Sequence, residues 1–172
     1  MPGRKKSEAP APSRATGPEP QASRPHVPGY GIPTTLKGLL PWRFVEERLG
    51  KAMNYWVCTA GEDGRPHARP VWGLWVDGAL CFGGHGVRWE RNLDANREVT
   101  VHLESGDEVV ILEGKVDRVT DAQDALAKQA AEVSKKKYGM GGGAPFWALR
   151  PRKVFAWTTK SMFKDATRWK FE

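Results

Sequence analysis

Arg88, Arg91 and Asn92 have the residue types and the spacing of an anion-binding group. They occupy positions i, i+3 and i+4, which share one face of a helix. A glycine-rich segment, residues 83–86, precedes them, so they are predicted in a first helical turn, where free N–H groups and the helix dipole favour anions. Two guanidinium groups add paired donors that match the geometry of a phosphate. The pattern predicts a phosphate site.

Two observations beside this group leave alternatives open. A solvated helix face, with the arginines paired to Glu90 or Asp94, is the competing interpretation of the helix. Arg69 interrupts an apolar strand and shares a face with Val71, so it either reaches solvent at a rim or contacts a bound anion. His85, inside the glycine-rich segment, is a further candidate for the pocket.

The aromatic residues and histidines favour the binding of a cofactor over a nucleophile of the protein's own. The chain has eight tryptophans, whose flat surfaces suit stacking on a planar heteroaromatic ring, with core or dimer packing as the alternative for each. The histidines show neither metal-ligand spacing nor a nucleophile–base order, and no carboxylate cluster suggests hydrolysis. The residues concerned are Trp72, Trp75, Trp89, Trp147 and Trp169, with His67, His85 and His102.

Composition divides the 172-residue chain into a tail and one domain. Residues 1–33 carry eight of the 13 prolines, five Lys or Arg and almost no large apolar residues, so they are predicted to be a disordered basic tail. Residues 34–172 form the folded domain. Because part of the net charge of +7 belongs to the tail, the domain is only mildly basic, which disfavours a nucleic-acid partner.

Two further features bear on the cellular setting. No run of about 18 apolar residues occurs, so neither a transmembrane helix nor a membrane partner is expected. Cys58 and Cys81 lie in apolar, strand-like runs and are predicted to be buried free thiols without a metal. A reducing, cytoplasmic location fits both.

Periodicity and turn signals predict a mainly β protein: a six-stranded antiparallel split β-barrel with a few peripheral helices. Closure removes the strand edges that would otherwise be exposed. Strand 67–76 is apolar on both faces, so a helix or a second subunit is expected to cover its outer side. Strands are predicted at 54–60, 67–76, 79–83, 98–104, 108–119 and 153–159, and helices at 36–52, 87–96 and from a cap at Thr120–Asp121 to about 137.

In this order the segments resemble the pyridoxamine 5′-phosphate oxidase-like family of split β-barrel flavin and deazaflavin proteins. The similarity covers about residues 41–119 and extends loosely to Tyr138–Gly139 and Thr167–Trp169. The matching residues are Asp63–His67, Pro70–Gly73, Asp77–Gly78 with Leu80 and Phe82, Arg88 with Arg91–Leu93, and Val110–Gly114.

The resemblance implies a homodimeric oxidoreductase with cofactor sites at the subunit interface, which moves a hydride to or from a small organic substrate. The cofactor would be coenzyme F-420, favoured by the Trp-Gly pattern, the Arg-Asn-Leu helix and the proline-rich tail, or else FMN. Two arginines would face its phosphate, strand residues would line its ring, and the C-terminus would close the site. The cofactor-binding residues that it implies are Arg69, Val71, Trp72, Arg88, Arg91, Asn92, Arg168 and Trp169, and we add His85 and Trp89 as further predicted cofactor-binding residues.

One departure from the family pattern concerns Trp89. Many relatives have a lysine directly after the first arginine, whereas this chain has Trp89 after Arg88. The site therefore lacks one cation, and either Trp89 stacks on the ligand instead or the site is altered or empty. Two alternative functions follow: a non-catalytic flavin- or deazaflavin-binding protein, and an FMN-dependent pyridoxamine 5′-phosphate oxidase.

Overall fold

A computed structural model describes residues 20–171 of the chain. Within them lie eight strands and four helices. Their bounds are β1 Ala22–Ser23, α1 Trp42–Lys51, β2 Asn54–Ala60, β3 Pro66–Val76, β4 Ala79–Phe82, α2 Val87–Ala95, β5 Glu98–His102, β6 Glu108–Val119, α3 Ala125–Tyr138, β7 Phe146–Thr158, α4 Met162–Asp165 and β8 Thr167–Lys170.

Six strands close into an antiparallel barrel, which confirms the predicted fold. Their order is β7, β4, β3, β2, β5 and β6, and β6 pairs back to β7. The turn between β3 and β4 is Asp77–Gly78, whose φ angles of 48° and 70° suit a tight hairpin. β8 adds to β7 outside this ring, and β1 adds to β8.

The core has two layers because β3 is apolar on both faces. Inside the barrel, Val71 and Trp75 are buried with residues from every barrel strand. Outside it, Leu74 and Val76 pack with Ala127 and Ala130 of α3. A helix therefore covers the outer side of this part of β3, as one of the two predicted alternatives proposed.

The helices α1 and α3 begin later than predicted. Helix α1 begins at Trp42 and not at residue 36, since Pro41 directly before it is extended, with φ −72° and ψ 153°. For α3 the predicted cap at Thr120–Asp121 is wrong, because the Asp124 carboxylate accepts the hydrogen bonds from Leu126 N and Ala127 N in the first turn. Asp121 instead accepts from Gln123 N at 2.7 Å, which stabilises the turn before the helix.

The predicted last strand, 153–159, is too short, since β7 begins at Phe146. Pro151 lies inside β7 beside a register shift at Glu113/Gly114 of β6, where a proline is tolerated because the ladder is already irregular. A Cβ on Gly114 would lie 2.9 Å from Arg150 O, so the bulge needs a glycine there.

The tail predicted at 1–33 differs from the structure at Ala22–Arg24. Ala22–Ser23 pair with β8, and Arg24, only 9% exposed, donates to the carbonyls of Thr35, Lys37 and Ala166. These three hydrogen bonds and the strand pairing stabilise this short segment, although its composition is rich in proline. Residues 1–19 lie outside the described residues.

Candidate functional site

Helix α2 lies along the β2–β3 turn at one rim of the barrel. Its buried residues are Trp89, Asn92 and Leu93, which follow the helical period, while Arg88 and Arg91 are exposed. The helix and the turn enclose a cavity of about 750 Å³. Its lining consists of Gly61, Glu62, Asp63 and Arg65 from the turn and Val87, Arg88, Arg91, Asn92 and Ala95 from the helix.

The charges around this cavity leave two guanidinium groups unpaired. Arg65 Nε lies 3.2 Å from Asp63 Oδ2, and both side chains are exposed. Arg88 and Arg91 form no ion pair or side-chain hydrogen bond within residues 20–171, so the alternative of pairing with Glu90 or Asp94 is not what the structure has. An unpaired guanidinium beside a cleft can accept an anion without first breaking an existing contact.

The Asn92 side chain lines the cavity and also anchors α2 to the barrel. Its Nδ2 donates to Thr59 Oγ1 at 3.0 Å, and both side chains are buried. A Cβ on Gly61 would lie 3.0 Å from Asn92 Oδ1, so the turn approaches the helix as closely as a glycine permits. This contact holds the arginine-bearing face of α2 at a defined distance from the turn.

The first turn of α2 adds backbone donors. Gly86 precedes the helix, and no side chain caps it. The first N–H with a helical acceptor is that of Glu90, which donates to Gly86 O at 3.2 Å. The preceding N–H groups therefore have no acceptor within the helix and, with the helix dipole, favour an anion.

Arg69 and His85 meet at the loop before α2. Arg69 Nη1 donates to His85 O at 3.1 Å, and the Arg69 guanidinium carbon lies 5.1 Å from the centre of the Trp89 ring. The Arg69 side chain is half-buried, and His85 is exposed. The structure thus brings these two predicted residues together where the loop meets β3, although neither of them lines the cavity.

The Trp89 ring is buried in the core and offers no exposed face to a ligand. It is 1% exposed, and its ring packs against Phe82 with centroids 6.1 Å apart. Because the neighbouring side chains cover the ring, the interpretation that Trp89 offers a stacking surface is wrong. Its Nε1 is buried and has no hydrogen-bond partner within the described part of the chain.

Of the ten predicted cofactor-binding residues, only Arg88, Arg91 and Asn92 line this cavity. Besides Arg69, His85 and Trp89, four more lie elsewhere. Val71 is a core residue at 5% exposure, and the exposed Trp72 ring stacks on Tyr138 with centroids 5.1 Å apart. Trp169 is 1% exposed and packs edge-on against Trp42, so its indole cannot close a site from outside. Arg168 Nε donates to Ser23 Oγ at 3.1 Å.

The remaining tryptophans and histidines named in the sequence analysis do not line the cavity either. Trp75 and Trp147 are buried in the barrel. His102 stacks with Trp56 on the outer face, with ring planes 3° apart, and His67 O accepts a long hydrogen bond from Thr59 Oγ1 at 3.4 Å. No group of three metal-ligating side chains occurs among residues 20–171.

Two features of the structure were missed from the sequence. One is Arg65, whose place in an Asp-Gly-Arg turn indicated only a hairpin, although a third arginine near a phosphate candidate is itself a signal. The other is Lys137, whose Nζ donates to Tyr55 Oη at 3.1 Å and Gly73 O at 3.0 Å. Burial lowers the pKa of Lys137 to about 8.

Comparisons with known proteins agree with this fold. Residues 44–158 match the sequence profile of a protein family described as pyridoxamine 5′-phosphate oxidase. No curated protein matches the chain by sequence.

None of the helices in residues 20–171 is long and apolar enough to cross a membrane.

Solved structures similar to this chain come from several bacteria. A conserved hypothetical protein from Mycobacterium tuberculosis has a TM-score of 0.59 at 18% identity, over 72% of this chain and 88% of that one. A FAD-binding protein from Mesorhizobium loti has a TM-score of 0.51 at 19% identity, over 71% and 89%. The heme storage protein from Vibrio cholerae has a TM-score of 0.52 at 16% identity, over 65% and 91%. At these identities the likeness concerns the fold alone.

Proposed function

This chain belongs to the pyridoxamine 5′-phosphate oxidase family, and from that membership and the geometry of the rim cavity we propose that it is an oxidoreductase with a flavin-type cofactor. The family match confirms the resemblance seen in the sequence. The reaction we propose is hydride transfer to or from a small organic substrate. Such a cofactor supplies the hydride chemistry when bound, and the protein supplies binding, orientation and charge.

The observation that carries this proposal is the pair of unpaired guanidinium groups on one cavity. Arg88 and Arg91 face the same cleft as the first turn of α2, where backbone donors also lack acceptors. Three guanidinium groups against two carboxylates leave the lining positive. The donor set therefore fits the anionic end of a phosphorylated coenzyme, even though Trp89 stands where a further cation occurs in many relatives.

We propose coenzyme F-420 as the cofactor and FMN as the second choice. The Trp72–Gly73 and Arg91–Leu93 segments support this order, since they are more similar to the deazaflavin subgroup. Both coenzymes combine a planar tricyclic ring with an anionic tail, so both fit a positive cavity. Arg88 and Arg91 would hold the tail, and Asn92 would keep the helix in place for them.

A homodimer completes the proposal. On the outer face of the barrel, five cross-strand neighbours form a continuous row with little charge: Pro70, Trp56, His102, Ile111 and Phe155. Four of them are half-buried and Pro70 is exposed in the single chain. A second copy of the chain would cover such a row, because a contiguous, accessible row of weakly charged side chains favours association. Light scattering during size exclusion should give twice the chain mass of 19.1 kDa.

The chemistry of the two cysteines supports a cytoplasmic location. Cys58 and Cys81 form no disulfide in the structure. Burial raises the pKa of the Cys81 thiol to about 12, so it stays a thiol at neutral pH. We propose a reducing compartment on this basis.

Titration of the purified protein tests the cofactor proposal. Calorimetry with F-420 and with FMN should give saturable binding to one of them at one site per chain. Arg88→Ala should weaken that binding by about 1.5–3 kcal/mol, the range of a charge-assisted hydrogen bond. Arg43→Ala is the matched control, because Arg43 is exposed on α1 in an i,i+4 pair with Glu47. No binding of either coenzyme, or equal loss in both variants, would reject the site.

A turnover assay separates the enzyme from a storage or sensing protein. Loaded protein mixed with enones, quinones and nitro compounds should oxidise or reduce the bound coenzyme with one of them. Binding without turnover across that panel would favour the non-catalytic alternative. A yellow protein that releases peroxide with pyridoxamine 5′-phosphate would identify the FMN-dependent oxidase instead.

A further inference from the structure

The β2–β3 turn contributes Glu62 to the lining of the rim cavity. Gly64 N donates to Gly61 O at 2.9 Å and Gly61 N donates to Arg65 O at 3.3 Å, so the backbone on both sides of Glu62 is fixed. The close approach of Gly61 to Asn92 sets the distance between this turn and α2. Glu62 therefore has a defined place on the wall of the cavity that faces the helix.

The two carboxylates of this turn differ in their partners. Asp63 Oδ1 accepts from Arg65 N at 3.1 Å, and Asp63 Oδ2 lies 3.2 Å from Arg65 Nε. Glu62 is exposed and forms neither an ion pair nor a side-chain hydrogen bond in the described part of the chain. It does not reach Arg88 or Arg91, although all three line the cavity. The free charges are therefore two guanidinium groups on one wall and one carboxylate on the other.

A free carboxylate lowers the affinity of a site for a simple anion, because the two negative charges repel each other. An ionised carboxylate accepts hydrogen bonds and donates none. It gains a favourable contact only from a ligand that carries a donor, such as a hydroxyl group, close to its anionic group. The cavity can therefore discriminate between anions by the chemical groups that lie beside the charge.

The rest of the lining indicates which part of a ligand the cavity holds. Its apolar side chains are Val87 and Ala95, and no aromatic residue of the described chain lines it. Its volume of about 750 Å³ is in the range of sites that enclose a small molecule, and it exceeds what a phosphate group alone would fill. A planar ring has no stacking partner here, whereas a short carbon chain that ends in a phosphate can contact both walls.

We propose that Glu62 is a specificity-determining residue, which accepts hydrogen bonds from hydroxyl groups beside the phosphate of the ligand and disfavours phosphates without them. The preferred ligand class is a phosphate ester of a polyhydroxylated chain, with its phosphate at Arg88 and Arg91. The inference rests on the proposed function and deepens it, because the chain between ring and phosphate in flavin-type coenzymes carries such hydroxyl groups. It assigns that chain to the cavity and the ring to a place outside it.

Two small probes that differ only in their hydroxyl groups test this proposal. Ribitol 5-phosphate has these groups, and pentyl phosphate has the same carbon chain without them. NMR titration, followed at the backbone amides of α2, should show tighter binding of ribitol 5-phosphate by about threefold to tenfold. Arg88→Ala should weaken the binding of both probes, which locates them at this cavity. Equal affinities for the two probes, or no binding of either, would overturn the proposal.

Glu62→Ala should change the affinities for the two probes in opposite directions. Affinity for ribitol 5-phosphate should fall by about threefold to tenfold, because the hydrogen-bond acceptor is lost. Affinity for pentyl phosphate should rise by about twofold, because a repulsive charge is removed. A purely structural role of Glu62 would lower both affinities together, so a parallel loss would contradict the proposal.

Asp94→Ala is the matched control. Asp94 is an exposed carboxylate on α2 that does not line the cavity, so its removal changes the net charge near the rim by the same amount. The two affinities should keep their wild-type ratio in this variant. If the ratio changed as much as in Glu62→Ala, the net charge and not a contact with hydroxyl groups would set the preference, and the proposal would be wrong.

Calorimetry with FMN and F-420 separates this inference from the proposed function. Glu62→Ala should weaken the binding of the coenzyme that the wild type binds, again by about threefold to tenfold. If neither coenzyme binds but the two probes behave as expected, the proposed cofactor is wrong and the role of Glu62 stands. If a coenzyme binds equally well to the wild type and to Glu62→Ala, the proposed cofactor stands and the role of Glu62 is wrong.

Discussion

The rim beside α2 and the end of the barrel beneath α3 both contain cationic side chains, yet these side chains have different surroundings. Beneath α3, Lys137 Nζ lies 5.1 Å and 5.3 Å from the ring centres of Tyr55 and Tyr138. Its donors go to Tyr55 Oη and to the carbonyl of Gly73, which also accepts from Tyr138 Oη at 2.8 Å. At the rim, by contrast, Arg88 and Arg91 are exposed and unpaired within the described residues.

The difference separates a cation that serves the fold from cations that await a ligand. Lys137 joins α3 to β2 and β3, and two oxygens that accept its hydrogen bonds offset the cost of burying its ammonium group. The arginines at the rim contribute no comparable contact to stability. Substitutions beneath α3 should therefore change folding, and substitutions at the rim should change binding.

The largest effect should come from removing both rim arginines. Arg88→Ala combined with Arg91→Ala should weaken coenzyme binding by about 3 kcal/mol or more, roughly a hundredfold, because two charge-assisted contacts are lost. The free energy of unfolding should stay within about 0.5 kcal/mol of the wild type, as for exposed residues generally. Calorimetry and urea denaturation measure the two quantities. If the free energy of unfolding fell by as much as the free energy of binding, the rim arginines would serve the fold as Lys137 does, and the comparison would be wrong.

Gly73→Ala should destabilise the packing beneath α3. Its Cβ would lie 2.9 Å from Tyr55 Cδ2 and 3.3 Å from Leu80 Cδ1, which overpacks the core. We expect the free energy of unfolding to fall by about 1–3 kcal/mol, measured by urea denaturation with Gly106→Ala as control. Coenzyme affinity should be unchanged at temperatures where the variant is folded; a selective loss of affinity would instead place Gly73 at the ligand.

The pH dependence of stability should reveal Lys137. Because its pKa is lowered to about 8 in the folded state from an unfolded value of about 10.4, the unfolded chain binds more protons between these values. Stability therefore rises with pH through this window relative to Lys137→Met. The gain should stay below about 1 kcal/mol, since the side chain is only partly buried and solvent screens it.

Urea denaturation of both proteins at pH 7 and pH 9 measures this effect. Burial raises the pKa of Tyr55 and of Tyr138, so both phenols stay protonated over that interval and do not mask it. A gap between the two proteins that is constant with pH would contradict the lowered pKa of Lys137.

The last prediction concerns the rate at which the thiols react and not the affinity or the stability. Cys81 is 2% exposed in the layer beneath α3, and burial raises the pKa of both cysteines. Alkylation by iodoacetamide at pH 7.5 should be at least about tenfold slower in native than in urea-unfolded protein. Cys81 should react more slowly than Cys58, which is half-buried. Faster reaction of Cys81 would show that α3 does not cover β4 in solution.

The barrel strands were predictable where side chains alternate cleanly. The predicted bounds of β2 and β6 are those of the structure, because each has a buried residue at every second position over most of its length. β7 was half missed, since Pro151 interrupts its pattern at a bulge. β1 and β8 are two and four residues long, too short for any period to show, and they exist through their neighbours.

The candidate site was predictable in part. Spacing alone grouped Arg88, Arg91 and Asn92, and the structure places all three on one cavity. The direction in which Trp89 points could not be predicted from the sequence, because an indole ring occurs both in cores and on surfaces. Arg65 was missed because its distance from α2 depends on how the β2–β3 turn folds back.

By itself, the amino-acid sequence determined the family, the barrel and the helix that carries the two arginines, because periodicity, turn residues and helical spacing are local properties. Only the tertiary structure decided which cations are paired. Lys137 donates its hydrogen bonds inside the fold, and Arg69 lies over a buried ring. Arg88 and Arg91, by contrast, face a cleft. The reason is physical: a charge acquires its partners from whatever the chain brings within a few ångströms, and those neighbours come from distant parts of the sequence.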